Sequence, residues 1–275
     1  MVSASATDRI EPLLTTPAAD LLGGLLRWDL WGRLGWLEVK RRYRRTVLGP
    51  FWTSMSFAIF IGTFGAVGAG LWDQPMGEFV VFLAAGMVGW LLIAAIMTEA
   101  GTVFVAGSGI IGEIRLNYSI LVYALVWRNF LVFLHHLAVF AVIFLLFSDR
   151  RPDAAMLLAI PGILLIIING VWMALALGMF ALRFRDMQQV VGNVIQILMF
   201  VTPLFWPPDR LLATSRGFIV QYNPVYYFIE IIRAPLLGAE PDPLSYPVVF
   251  AVTLVGWVGT LLLFQRLRGR IPYWT

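Results

Sequence analysis

Basic side chains crowd one short stretch of the sequence, directly before a long apolar run that begins at Phe51. The cations are Lys40, Arg41, Arg42, Arg44 and Arg45, with Tyr43 among them. Lys and Arg beside an apolar run mark its cytoplasmic end. Each such cation also contributes about 1 kcal/mol of attraction to acidic lipid headgroups. The stretch therefore predicts an anion-binding border between cytoplasm and membrane.

A single arginine, Arg128, lies inside another long apolar run. It follows the start of that run by about ten residues, which places it near mid-bilayer at about 1.5 Å per residue. A buried cation there is costly unless it faces a cavity or a partner. Two interpretations stay open: binding of an anionic substrate, or a structural hydrogen bond to backbone carbonyls, to Asn129 or to Asn169.

A third group of polar candidates lies between residues 206 and 233. Glu230 and Arg233 are three residues apart on a predicted helix and can form a local ion pair, for which a structural role is the simpler interpretation. The aromatic residues beside them suit either an interfacial belt or stacking on sugar rings; they are Trp206, Tyr222, Tyr226, Tyr227 and Phe228. We expect a channel and its external mouth to be lined by Arg128, Trp206, Tyr222, Tyr226, Glu230 and Arg233.

The residue types exclude most catalytic sites. Cysteine is absent, and the two histidines, His135 and His136, are adjacent in an apolar run, where helix packing is a simpler role than metal binding. The single lysine, Lys40, follows Val39 and so cannot belong to a Gly-x-x-x-x-Gly-Lys-Ser/Thr phosphate loop. We therefore expect a protein that is not an enzyme and binds no metal or cofactor. Its energy would come from an ion gradient or a separate ATPase.

The composition predicts the fold that positions these residues. Of 275 residues, 60% are hydrophobic and only 13% are charged, which is typical of an integral membrane protein. Apolar runs predict an all-α fold with six spans, at about 51–71, 79–103, 120–147, 155–182, 190–205 and 248–264. An interrupted apolar segment between spans five and six predicts an external re-entrant hairpin. Basic residues favour cytoplasmic termini, although Arg150 and Arg151 fall in an external turn.

The segments before the first span are assigned separately. We expect residues 1–20 to form a cytoplasmic tail and residues 48–275 the six-span domain. The Leu and Trp residues of 21–47 favour an interfacial amphipathic helix, and a cytoplasmic helix that packs on the protein is the alternative. The first span carries small residues every four positions, which favour close approach of another helix, either within the monomer or across a dimer; they are Ala58, Gly62, Ala66 and Gly70.

Four pieces of the sequence, in the same order, resemble ABC-2 type permeases that export polysaccharides such as O-antigen, capsule, teichoic acid and galactan. They are the run from Lys40 to Trp52, the segment from Gly109 to His136, the run Arg183-Phe-Arg-Asp-Met187, and the region from Thr202 to Gly238 with its Asn223-Pro. The resemblance covers nearly everything after about residue 25. One departure is Asn117, where relatives often carry proline.

The resemblance implies a homodimer in the bacterial cytoplasmic (inner) membrane, paired with two ATPase subunits that hold ATP and Mg. The dimer would form a channel for a polysaccharide on a polyprenyl-pyrophosphate lipid, and no nucleic acid would be involved. Residues near the pyrophosphate entrance would be Arg41, Arg42, Tyr43, Arg44, Arg45, Leu48 and Gly49, with residues 48–50 as a hinge. ATPase coupling would involve Ile110, Ile111, Glu113, Ile114, Arg115, Arg183, Arg185 and Asp186.

Two alternatives remain at this level. One is an ABC-2 permease for drugs or small lipids, and the other is a gradient-driven carrier that works without a partner. The absence of a convincing internal repeat weighs against the carrier.

Overall fold

The described part of the chain is helical, without strands. A computed structural model describes residues 16–44, 51–113, 116–184 and 186–274. The helices are α1 (Pro17–Leu26), α2 (Trp28–Tyr43), α3 (Phe51–Trp72), α4 (Met76–Ala100), α5 (Val103–Ala106), α6 (Ser108–Glu113), α7 (Ser119–Phe147), α8 (Ala159–Arg183), α9 (Met187–Val201), α10 (Pro208–Leu212), α11 (Phe218–Gln221), α12 (Pro224–Leu236), α13 (Ser245–Leu267) and α14 (Ile271–Trp274). Short 3-10 helices cover Ala154–Leu158 and Arg268–Arg270.

Within those ranges, five segments are long and apolar enough to cross a membrane. They are Phe51–Trp72, Met76–Ala100, Ser119–Phe147, Ala154–Arg183 and Ser245–Trp274. The predicted fifth span corresponds to α9, which has 15 residues. At 1.5 Å per residue α9 is about 22 Å long, less than the ~30 Å of a bilayer's hydrocarbon core. The all-helical membrane architecture is confirmed, whereas six spans and a re-entrant hairpin are not.

Helix α4 forms the centre of the bundle. It packs against α3, α7, α8, α9 and α12, and apolar side chains all around a helix suit this position. Glycines on α4 let α12 approach: a Cβ placed on Gly89 would lie 3.4 Å from Ile229, and one on Gly86 3.6 Å from the Arg233 side chain. The region between α9 and α13 therefore adds a buried helix to the bundle.

The N-terminal segment forms two helices rather than the single predicted one. Thr16 caps α1, whose first residue, Pro17, lies inside the predicted tail. Arg27 ends α1 with φ −87° and ψ 48°, and α2 starts at the next residue. Helix α2 packs along α7, where a Cβ on Gly35 would meet the Ala124 carbonyl oxygen at 2.8 Å. This close packing attaches α2 to the bundle, while Trp28 stays exposed.

Asp20 anchors α1 to the start of α7. Its side chain is fully buried and accepts the backbone N–H groups of Tyr118 at 3.2 Å and Ser119 at 3.0 Å. It also forms an ion pair with Arg268, whose Nη2 lies 3.5 Å from Asp20 Oδ2. Asn117 donates to the Asp20 carbonyl oxygen at 3.0 Å, so the residue that departs from the related permeases holds α1 in place. A carboxylate here satisfies free N–H groups and the positive end of the α7 dipole.

The predicted small-residue stripe of α3 points away from the bundle. Ala58, Gly62, Ala66 and Gly70 are all exposed. The close contact with α4 is made instead by other glycines of α3, since a Cβ on Gly65 would lie 2.5 Å from Val80.

Candidate functional site

An ion cluster joins α2, α4 and α7. Arg128 of α7 donates through Nη1 to Glu38 of α2, and through Nη2 to Glu99 Oε2 of α4 at 2.6 Å. The same Glu99 oxygen accepts from Asn129 Nδ2 at 2.8 Å, and Glu99 Oε1 accepts from Arg42 of α2. Two carboxylates and two guanidinium groups thus alternate across three helices.

Burial differs within this cluster. The side chains of Arg128 and Glu99 are 14% and 18% exposed, whereas that of Arg42 is 46% exposed. The planar guanidinium fork suits two carboxylates at once, and low polarity around the inner pair strengthens its attraction. Arg128 Nε is nevertheless buried without an acceptor in the described structure. The Arg128–Glu99 pair is therefore largely shielded from solvent, whereas the Arg42 side chain at the edge of the cluster is reachable from solvent.

The predicted partners of Arg128 were wrong. Within the described residues it donates to neither Asn129, Asn169 nor a backbone carbonyl, because packing of α2 on α7 brings Glu38 to it and the end of α4 supplies Glu99. Asn169 instead joins α8 to α13 through Thr253 Oγ1 at 2.7 Å. Arg128 also lies apart from the predicted mouth residues, which are on α12 and in the segment before it.

The sequence reasoning missed Glu99. It is an acid near the C-terminal end of an apolar run, and a lone arginine in the next span is the partner that such a residue requires. An acid and an arginine that both lie in apolar runs could therefore have been predicted to pair with each other.

A cavity of about 280 Å³ opens beside the ion cluster. Its charged lining is Glu38, Arg41, Arg42, Glu99 and Arg128, and its apolar lining includes Leu34, Leu37, Leu121 and Leu125. Three guanidinium groups face two carboxylates, so the cavity has a net positive charge. Such a lining can bind a phosphate group, with the apolar wall beside it.

The structure brings together part of the predicted entrance. Arg41 and Arg42 line the cavity, the Tyr43 hydroxyl lies 3.5 Å from Thr53 Oγ1, and Arg44 is exposed where α2 ends. The remaining predicted residues, Arg45, Leu48 and Gly49, and the predicted hinge at 48–50 lie outside the described residues.

Two elements that carry predicted coupling residues, α6 and α8, both contact α14. Ile111 on α6 is half-buried, and the Arg183 guanidinium lies 5.6 Å from the Phe184 ring and 6.0 Å from the Trp274 ring. Asp186 precedes α9. Ile114, Arg115 and Arg185, together with the side chains of Ile110 and Glu113, lie outside what the structure describes.

The predicted mouth contains a buried ion pair. Arg233 is 2% exposed, donates through Nη2 to Glu230 at 2.6 Å and through Nη1 to the Pro203 carbonyl at 2.6 Å, and lies 4.7 Å from the Phe82 ring. These contacts give the pair a structural role, joining α12 to α4.

The aromatic residues of the predicted mouth differ in their exposure to solvent. Tyr226 is buried near Arg233, and burial, with a smaller effect of Glu230, raises the pKa of its phenol above the ordinary value. Trp206 is half-buried, and Tyr222 is strongly exposed. Sugar stacking at this end stays a prediction that rests mainly on Tyr222.

Comparison with known proteins agrees with the resemblance seen in the sequence. Residues 30–237 match the family model described as ABC-2 type transporter. The chain is 24% identical to the O-antigen export system permease protein RfbA of Klebsiella pneumoniae, over 85% of this chain and 90% of that protein. It is 21% identical to the protein of the same name from Myxococcus xanthus, over 83% and 89% of the two chains. The family match covers most of the chain, which therefore belongs to the ABC-2 type transporter family and is a transport protein rather than an enzyme.

Proposed function

We propose that the chain is the channel-forming membrane subunit of an ABC transporter that exports a polyprenyl-pyrophosphate-linked polysaccharide of the O-antigen type. The observation that carries the proposal is the guanidinium-lined cavity between α2, α4 and α7, in a chain whose relatives are named O-antigen export permeases. The cavity supplies donors for the pyrophosphate, and the apolar helices supply the membrane path.

The proposed assembly is a homodimer with two ATPase subunits in the bacterial inner membrane, with both termini in the cytoplasm. The outward-facing small residues of α3 support a helix contact between two copies. The ATPase would bind at α6, α14 and the end of α8, which lie together. ATP and Mg would be held by the partner.

Reconstitution tests this function directly. Alone in proteoliposomes, the chain is expected to transport nothing; with its ATPase it should export the lipid-linked glycan in an ATP-dependent manner. Gradient-driven transport by the chain alone would contradict the proposal. ATP-dependent export of drugs or short lipids without the glycan would favour the ABC-2 alternative.

The entrance arginines provide a more specific prediction. Replacing Arg41, Arg42, Arg44 and Arg45 together by glutamine should abolish most glycan export at normal membrane abundance, because the phosphate donors are lost. The control replaces Arg266 and Arg270 by glutamine and should leave export close to wild type; both are exposed arginines in the C-terminal part of the last candidate span. If the two variants export the glycan equally well, the entrance arginines do not bind its phosphate groups.

A further inference from the structure

Glu99 occupies donors that a phosphate would need. One carboxylate oxygen accepts from Arg42 and the other from Arg128, and both guanidinium groups line the cavity. One feature of the geometry shows that Glu99 does not satisfy every donor of these guanidinium groups. Arg128 Nε is buried and has no acceptor among the described residues, and a buried, unpaired N–H is costly.

We infer that Glu99 is an internal competitor for a diphosphate headgroup, and that the diphosphate displaces the Glu99 carboxylate from Arg42 and Arg128. The inference rests on the proposed function for the nature of the substrate, and it adds the residues and the exchange by which the substrate is recognised. No covalent step is involved, since hydrogen bonds to one anion replace those to another.

The partners of Glu99 make the exchange feasible. Asn129 Nδ2 lies 2.8 Å from Glu99 Oε2 and also donates to the Leu125 carbonyl at 3.0 Å, so it remains beside the displaced carboxylate. A phosphate oxygen accepts from Arg42 and Arg128 in place of Glu99 and supplies the acceptor that Arg128 Nε lacks. The exchange therefore leaves no cation unpaired, and it removes one unsatisfied donor.

The exchange also changes how α2 is held. Arg42 bridges α2 to α4 through Glu99, whereas Glu38 holds α2 to α7 through Arg128 Nη1. A diphosphate that takes Arg42 and the other face of Arg128 releases the first connection and keeps the second. Helix α2 then stays on α7 but is free to move away from the end of α4. Binding of the headgroup is thereby coupled to the position of α2.

The experiment uses the full-length chain in nanodiscs of zwitterionic lipid. The probes are farnesyl diphosphate, farnesyl monophosphate and inorganic pyrophosphate, with affinities measured by titration. The Glu99→Gln variant keeps the size of the side chain and removes the competing charge. It should bind farnesyl diphosphate about tenfold more tightly than wild type, the change expected when one charge-assisted contact no longer competes. Glu230→Gln removes a paired carboxylate elsewhere and should leave the affinity unchanged.

Two further measurements separate recognition from folding. Arg128→Lys keeps the charge but loses the fork, and it should weaken diphosphate binding about tenfold or more. Because the chain has no cysteine, spin labels can be placed at the exposed positions Trp36 on α2 and Val105 on α5. Farnesyl diphosphate should lengthen the distance between the labels, at lower concentration in Glu99→Gln than in wild type.

The outcomes distinguish the alternatives. If Glu99→Gln tightens the binding of inorganic pyrophosphate as much as that of farnesyl diphosphate, the diphosphate itself is what the site recognises. If it tightens the binding of farnesyl monophosphate equally, recognition of a diphosphate is overturned. Unchanged or weaker farnesyl diphosphate binding by well-folded Glu99→Gln would overturn the competitor role, even if reconstituted export still supports the proposed function. If the wild-type chain reconstituted with its ATPase exports no glycan, the proposed function itself is contradicted.

Discussion

Asp20 provides a stability test that is independent of transport. The carboxylate is fully buried and receives the Tyr118 and Ser119 N–H groups at the start of α7. Loss of such a cap costs about 1 kcal/mol, and loss of a partly buried charge at a helix end costs up to ~2 kcal/mol. With Arg268 also losing its partner, Asp20→Ala should reduce the free energy of unfolding by about 2–4 kcal/mol.

The assay is reversible unfolding in mixed micelles, followed by circular dichroism. Asp20→Asn keeps an acceptor for one N–H group but removes the charge, so it should cost about half as much as the alanine variant. The control is Asp29→Ala, which breaks a 3.6 Å pair with Arg27 that is about half exposed; its expected cost is below about 0.5 kcal/mol. If Asp20→Ala and Asp29→Ala destabilise the protein equally, the capping role is refuted.

Two further substitutions test helix packing by the same unfolding assay. Gly35→Leu should cost about 1–3 kcal/mol because its Cβ meets the Ala124 carbonyl, whereas Gly32→Leu, with nothing within 4 Å, should be neutral or slightly stabilising; equal effects would argue against tight α2–α7 packing. Arg233→Met should cost about 3–5 kcal/mol because it leaves the Glu230 carboxylate buried without its partner. Arg216→Met, at an exposed site, should change stability by less than about 0.5 kcal/mol, and an equally mild Arg233→Met would refute the structural role of that ion pair.

Most of the helical architecture could be predicted because length and hydropathy are properties of the sequence itself. The runs that became α3, α4, α7, α8 and α13 were all identified, with ends within a few residues. The short α9 was predicted as a span because its composition is apolar, although its length falls short of the bilayer. The break at Arg27 was missed because the apolar pattern continues across it, and only the backbone shows the change of direction.

The candidate site was only half predictable. Arg41 and Arg42 were identified because a run of cations is visible in the sequence, and Arg128 because a charge within an apolar run is conspicuous. Their partners were not identified, since the Arg128–Glu38 contact joins residues 90 positions apart and depends on how α2 packs on α7. Sequence spacing defines neighbours along one helix, but it does not define which helices are adjacent.

The break between α1 and α2 at Arg27 is a joint around which α2 can rotate as a rigid helix. Helix α1 is fixed to α7 through Asp20, and the 16 residues of α2 extend from that fixed point for about 24 Å. A rotation of about 10° around the joint would move the far end of α2 by about 4 Å. The displacement would be small at Trp31, which is close to Arg27, and several times larger at Arg42. A displacement of this size exceeds the length of a hydrogen bond, so a slight rotation of α2 is enough to separate Arg42 from Glu99. Glu38 lies closer to the joint and moves less, so its side chain can follow Arg128.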